Sequence, residues 1–150
     1  MKTTLTAFLS LIMLFSCSTK SPISNRYVSK KKNIEHLIKL GSLNWEKRVD
    51  VNSAKLSKHF LSKAIELDSK NPEITALFTR SCYFNGRYIN YDKPELADSM
   101  FIEGFTAAWK FIISLEEFQI GFQSIQGDSA AKNIAGLERL SQEMLPVAYW

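Results

Sequence analysis

Cysteine and histidine are scarce in this chain, two of each among 150 residues, and each shortage removes a class of function. Cys17 closes an amino-terminal apolar run, and with its thiol committed there Cys82 has no intrachain partner, so no disulfide framework supports the fold. Cys82 lies among Phe78, Tyr83 and Phe84 and reads as a buried apolar thiol rather than a reactive one. His36 and His59 stand on either side of the connection from Gly41 to Val51, with no carboxylate or cysteine at ligand spacing, so solvated or packing roles fit them better than metal binding or acid–base work. Glu116 and Glu117 are adjacent and would point in different directions on a helix. Gly121 and Gly127 open neither a Walker loop nor a dinucleotide fingerprint. The chain reads as a non-enzyme that needs no cofactor and no metal.

Long hydrophobic runs are also missing. The apolar stretch from Leu5 to Phe15 is too short to cross about 30 Å of hydrocarbon. Lys2 precedes it, and Leu14-Phe15-Ser16-Cys17 closes it with a small residue directly before the cysteine, which is the pattern of a bacterial lipoprotein signal. The expectation is cleavage after residue 16 and lipidation of Cys17; an ordinary secretory signal and an uncleaved anchor are the competing readings. Ser18 after the cysteine, rather than an aspartate, favours the outer membrane over the inner one, on the periplasmic face.

The third shortage is of basic character in the body of the chain, despite a formal charge of +4. Residues 1 to 40 hold seven Lys and Arg against the single acid Glu35, which leaves twelve bases and fourteen acids for residues 41 to 150. The basic residues therefore belong to the segment beside the anchor, where they suit a solvated tether near anionic headgroups. No basic stripe interleaved with aromatics follows, so nucleic acid is not an expected partner. The domain plan is a signal peptide at 1–16, a lipidated cysteine and flexible tether at 17–32, and one helical domain at 33–150.

What is present after the tether is helical periodicity. Ile34, Leu37 and Ile38 give a short apolar face that Gly41 would close with a left-handed cap. From Val51 to Leu67, the residues Leu56, Phe60, Leu61, Ala64, Ile65 and Leu67 recur at spacings of three and four, which predicts an amphipathic helix ending at Asp68. Asn71-Pro72-Glu73 predicts the next start, and Asn85-Gly86 its stop. Asp92 and Glu95 are spaced as a capping box before a helix carrying Leu96, Met100, Phe101, Phe105, Ala108, Trp109, Ile112 and Ile113; Phe105 and Trp109 read as core, and Gly104 and Ala107 as a narrow face for close approach. Glu116 to Asp128 reads as a long connection that packs through Phe118 and Phe122. Asp128 would cap a last helix lined by Ile134, Leu137, Leu140, Met144 and Leu145 and interrupted at Pro146. The apolar end, Val147-Ala148-Tyr149-Trp150, suggests a truncated product or fragment that leaves Leu145, Val147, Tyr149 and Trp150 uncovered.

Two similar helix pairs in succession are the signature of stacked hairpins. Lys63-Ala64-Ile65-Glu66-Leu67-Asp68 followed by Asn71-Pro72 resembles the end of a tetratricopeptide repeat, and Ser81 to Tyr88 resembles the small-aromatic-to-glycine turn of the next. The fold class expected is all-α, with tetratricopeptide-like stacked hairpins forming an α/α superhelix. The longer order, Trp45 to Asp50, Ala64 to Pro72, Arg80 to Tyr83, Gly104 to Trp109 and Leu145 to Trp150, is similar to that of the T-component lipoproteins of TRAP transporters, over residues 34 to 150. That resemblance implies a lipid-anchored periplasmic subunit, a homotrimer with a pore in its full-length form, and a periplasmic substrate-binding component as partner, with hydrophobic or carboxylate ligands. A generic tetratricopeptide lipoprotein that scaffolds outer-membrane assembly or glycan uptake is the alternative.

Binding residues are sought among exposed aromatic and arginine side chains. Trp45 and Arg48, one helical turn apart, would hold an acidic or aromatic ligand if they face a groove; otherwise Trp45 fills the hairpin core while Arg48 pairs with Asp50 or Glu46. Tyr88 and Tyr91, in a loop, complete the set of candidates.

Overall fold

The computed structural model describes residues 22–150, so the signal peptide and Cys17 lie outside the described residues. Seven α-helices and no strand occur among the described residues: α1 (Pro22–Glu46), α2 (Val51–Leu67), α3 (Pro72–Phe84), α4 (Pro94–Ile113), α5 (Glu116–Ser124), α6 (Ser129–Glu138) and α7 (Leu145–Tyr149). The architecture is all-α, built of stacked helical hairpins in the tetratricopeptide-like manner the sequence predicts. Residues up to Lys32 group apart from a compact unit of Asn33–Trp150. Within the stretch expected as a flexible tether, Pro22–Lys32 is helical, and the side chains from Arg26 to Lys32 are exposed.

The starts of α2, α3 and α6 follow from single side chains. Asp50 Oδ2 accepts from the Ser53 amide at 2.7 Å, Asn71 Oδ1 from Ile74 at 3.2 Å, and Asp128 Oδ1 from Ala131 at 2.9 Å. Each bond satisfies an amide that the first helical turn leaves without a partner. Pro72 occupies the first turn of α3, where its missing N–H costs nothing. The capping box expected at Asp92 and Glu95 does not form. Lys93 is the cap residue of α4, its carbonyl accepting from the Ala97 amide at 2.9 Å with no side-chain cap bond, and Asp92 stands one position too early.

Two expected helix stops are crossings instead. Gly41 lies inside α1, and no glycine among the described residues has a positive φ. Its role is close approach: a Cβ there would meet Leu61 Cγ at 2.7 Å, and its carbonyl accepts from Ser57 Oγ at 2.8 Å. Asn85-Gly86 likewise continues α3 into a π-helical turn, Asn85–Ile89. Asn85 Nδ2 donates to Ala54 O on α2 at 3.1 Å and to Ser81 O at 2.9 Å, so this side chain ties the hairpin together.

Two apolar clusters form the core. Leu61, Phe78 and Cys82 pack α2 against α3, with Ala107 of α4 beside them. Gly104 permits that approach, since a Cβ on it would stand 2.9 Å from Cys82 Cβ. The second cluster gathers Ala108, Phe111 and Ile112 of α4, Phe118 of α5 and Val147 of α7. Removing a side chain of the size of Phe78 or Phe118 from water stabilises by about 1.5–3 kcal/mol.

The second half differs most from expectation. Glu116–Ser124 is helix α5 rather than a connection, and it forms a tight pair with α6 because Gly136 admits the Phe118 ring: a Cβ at Gly136 would meet that ring at 2.7 Å. The last helix is not continuous to Leu145; α6 ends at Glu138, a short 3₁₀ turn covers Gln142–Met144, and Pro146 sits in the first turn of α7. Val147 is 1% exposed, so it is covered by the chain's own core, whereas Leu145, Tyr149 and Trp150 are exposed as expected. Phe105, expected in the core, is 67% exposed.

Candidate functional site

Trp45 ends α1 half-buried, and Arg48 follows in the turn before α2. Arg48 Nη1 donates to Trp45 O at 3.2 Å, which holds its guanidinium 4.7 Å from the centre of the Trp45 ring and 5.9 Å from that of Phe84. The pairing with Asp50 or Glu46 does not form. Asp50 is occupied as the cap of α2, and the Ser53 backbone bond holds its carboxyl below the usual range. The ion pairs among the described residues are Lys58–Glu103 at 2.6 Å and Lys63–Glu66 at 3.0 Å.

Arg80 of α3 joins this cluster, and the sequence reading did not place it there. Its guanidinium carbon lies 4.4 Å from the Trp45 ring centre. Burial and the neighbouring Arg48 charge lower its pKa, against the opposing pull of Glu46. Its Nε is buried with no hydrogen-bond acceptor among the described residues. The signal that locates it is periodic: Arg80, Phe84 and Tyr88 recur every four residues and so share one face where α3 runs into the π-turn. Phe84 meets Trp45 edge-on at 5.4 Å and Tyr88 at 4.9 Å. Trp45, Arg48 and Tyr88 are therefore brought together, with Tyr88 57% exposed, while Tyr91 is exposed and outside this ring stack.

A second surface lies on α4. Ile102, Phe105, Trp109 and Ile113 fall on one helical face, and all but the half-buried Trp109 are exposed. The Phe105 and Trp109 rings stack at 6.3 Å and 5°, Trp109 meets Phe118 at 5.7 Å, and Phe118 meets Phe122 at 5.9 Å. An exposed row is thus anchored on a buried ring. Between α2 and α4 runs an open cavity of about 510 Å³ floored by Phe78 and Phe111, with Lys70 and Lys110 among its lining residues.

Reactive chemistry is sparse among the described residues. No group of three His, Cys, Asp or Glu side chains is placed to hold a metal ion. His36 is exposed, and His59 packs edge-on against Phe60 at 5.6 Å. Burial pushes the Cys82 thiol up to about 12, which keeps it protonated and unreactive at neutral pH. No described helix is long and apolar enough to cross a membrane. What the fold presents is a row of exposed apolar side chains and an aromatic–arginine cluster on a helical scaffold. No protein family, curated protein or solved structure matches this chain.

Proposed function

We propose that this chain is a non-catalytic binding subunit, lipid-anchored at Cys17 on the periplasmic face of a bacterial outer membrane, whose stacked hairpins hold the periplasmic substrate-binding component of a TRAP-type transport system. The observation that carries the binding reading is the row Ile102, Phe105, Trp109 and Ile113, with Phe105 67% exposed yet stacked on a ring anchored in the core. Contiguous exposed apolar faces on otherwise folded proteins mark interaction sites, and rigid aromatic anchors lose little side-chain entropy on binding. The anchor and the identity of the partner come from the sequence: Leu14-Phe15-Ser16-Cys17 and the resemblance to T-component lipoproteins.

The test is capture of a co-encoded periplasmic binding protein by the full chain carrying Cys17→Ala, at low salt, alongside the Ile102→Gln and Phe105→Gln variants and their melting temperatures. The expected result is capture by the parent and weakened capture by variants whose melting temperature is unchanged. If the parent captures no such protein, the transport reading gives way to the generic lipoprotein scaffold. Membrane retention of the Cys17→Ala protein with normal processing would overturn the lipid anchor.

A further inference from the structure

We propose that the first turns of α1, from Arg26 to Lys32, are a docking face for an anionic lipid surface. This stretch carries four cations, Arg26, Lys30, Lys31 and Lys32, and no acid; the first carboxylate along α1 is Glu35. All four cationic side chains are exposed, and none forms an ion pair with a described carboxylate, Glu35 included. Over residues 41–150, by contrast, acids outnumber bases, and both ion pairs found among the described residues lie there.

In a flexible tether these cations would point in changing directions, whereas a helix gives them fixed neighbours. Tyr27, Lys30 and Lys31 stand three and four residues apart and so share one face, with Tyr27 71% exposed. That combination suits a headgroup layer. The ammonium groups reach lipid phosphates while their long apolar stems and the phenol ring lie at the boundary with the acyl chains. The helix also carries charge that its own side chains do not offset. Its first turn holds no acid to meet the positive end of the dipole, and Arg26 and Lys30, one turn apart, repel each other. A sheet of anionic headgroups compensates both. Three of the four cations are lysines, point charges without the fork that reads a carboxylate in two-pronged fashion, which favours a diffuse lipid surface over an acidic protein segment. The face uses these side chains alone and rests on neither the lipidation of Cys17 nor the transport partner.

The experiment follows an environment-sensitive fluorophore on Ser29→Cys in the full Cys17→Ala chain, where the buried Cys82 takes no label. Vesicles of phosphatidylcholine, with and without phosphatidylglycerol, are titrated in. The label reports the helix itself, so insertion of the apolar run Leu5 to Phe15 acts on both vesicle types alike. The expected result is a blue shift that saturates on the phosphatidylglycerol vesicles, is far smaller on phosphatidylcholine alone, and is reversed by about 1 M salt, where the screening length falls to about 3 Å. Lys30→Gln, Lys31→Gln and Lys32→Gln combined should cost about a hundredfold in affinity, about fivefold per charge, and so remove most of the shift where the parent is half-saturated. Arginine at the same three positions should preserve the shift, because a lipid surface reads charge and not side-chain shape. Glu35→Gln should tighten binding by about fivefold, which a purely structural role for the lysines does not produce. Helix content and melting temperature are recorded for every variant. An equal shift on both vesicle types, no shift on either, or an unchanged shift in the triple glutamine variant would overturn the proposal. So would a shift with soluble polyaspartate and none with phosphatidylglycerol, which would assign the face to an acidic protein segment.

Discussion

The joint between α2 and α3 and the joint among α4, α5 and α7 close the same kind of gap with different side chains. The first is seamed with small polar groups: Ser57, Thr75, Thr79, Ser81 and Asn85 are all buried there. Thr75, Thr79 and Ser81 bond carbonyls one turn back along their own chain, Ser57 of α2 reaches Gly41 O of α1 at 2.8 Å, and Asn85 crosses from the end of α3 to Ala54 O of α2 at 3.1 Å. The second joint holds no buried polar side chain among its core members and is filled by Phe111, Ile112, Phe118 and Val147. Threonine and serine that bond back to their own helix bury their hydroxyls without a partner across the joint, so the single Asn85 bond ties α3 to α2, whereas the second joint is held by side-chain shape.

Five substitutions test the difference between the two joints and their flanking caps. Phe118→Ala should have the largest effect, a loss of about 3–5 kcal/mol in denaturant unfolding, because it empties the centre of the apolar joint and removes a ring that also supports Trp109. A loss near zero would mean that α5 and α6 contribute little to the cooperative unit. Asn85→Ala should cost about 1–3 kcal/mol, since it removes two buried hydrogen bonds, one of which ties α3 to α2. Asp128→Ala should lower stability by about 1 kcal/mol as a lost helix cap, while Asp92→Ala, which caps nothing, should stay within about 0.5 kcal/mol of the parent. The smallest change is Lys63→Ala, within about 0.5 kcal/mol, because its pair with Glu66 is exposed.

Cys82 sharpens the comparison along the pH axis. Its folded pKa is raised, from 9.0 to about 12, so the native state holds the proton more tightly than the unfolded chain. The contribution is complete below about pH 9 and is lost as pH rises from there toward 12. Stability curves of the parent and Cys82→Ser should therefore converge over that window. Parallel curves would mean that the thiol is not buried in the polar-seamed joint.

How much of this was legible in the sequence follows the same division. Asn71, Pro72 and Asp128 announced their helices because a cap is a local device, decided within one turn. Cys82 was legible as buried and Gly104 as a close-approach face for the same reason: their neighbours' apolar character was in view. Gly41 and Asn85-Gly86 read as stops because the residues that give them another role, Leu61, Ala54 and Phe101, are distant in sequence. Helix α5 was missed because glycine at 121 looks like a breaker until α6 is placed against it. Phe105 was assigned to the core by periodicity, yet the stripe it belongs to faces outward; period alone does not say which of two apolar faces on α4 is covered. Arg80 escaped notice because its aromatic partner, Trp45, is on another helix and distant in sequence.

The proposed partner-binding face is the outward row of α4. Its most direct test is the affinity of the co-encoded periplasmic binding protein for the full Cys17→Ala chain and for the same chain with Ile102→Gln and Phe105→Gln, measured with melting temperatures in parallel. Binding should be at least about tenfold weaker in the double variant, with a melting temperature close to the parent's, because both side chains are already mostly in water. Unchanged affinity, with the parent binding normally, would contradict it.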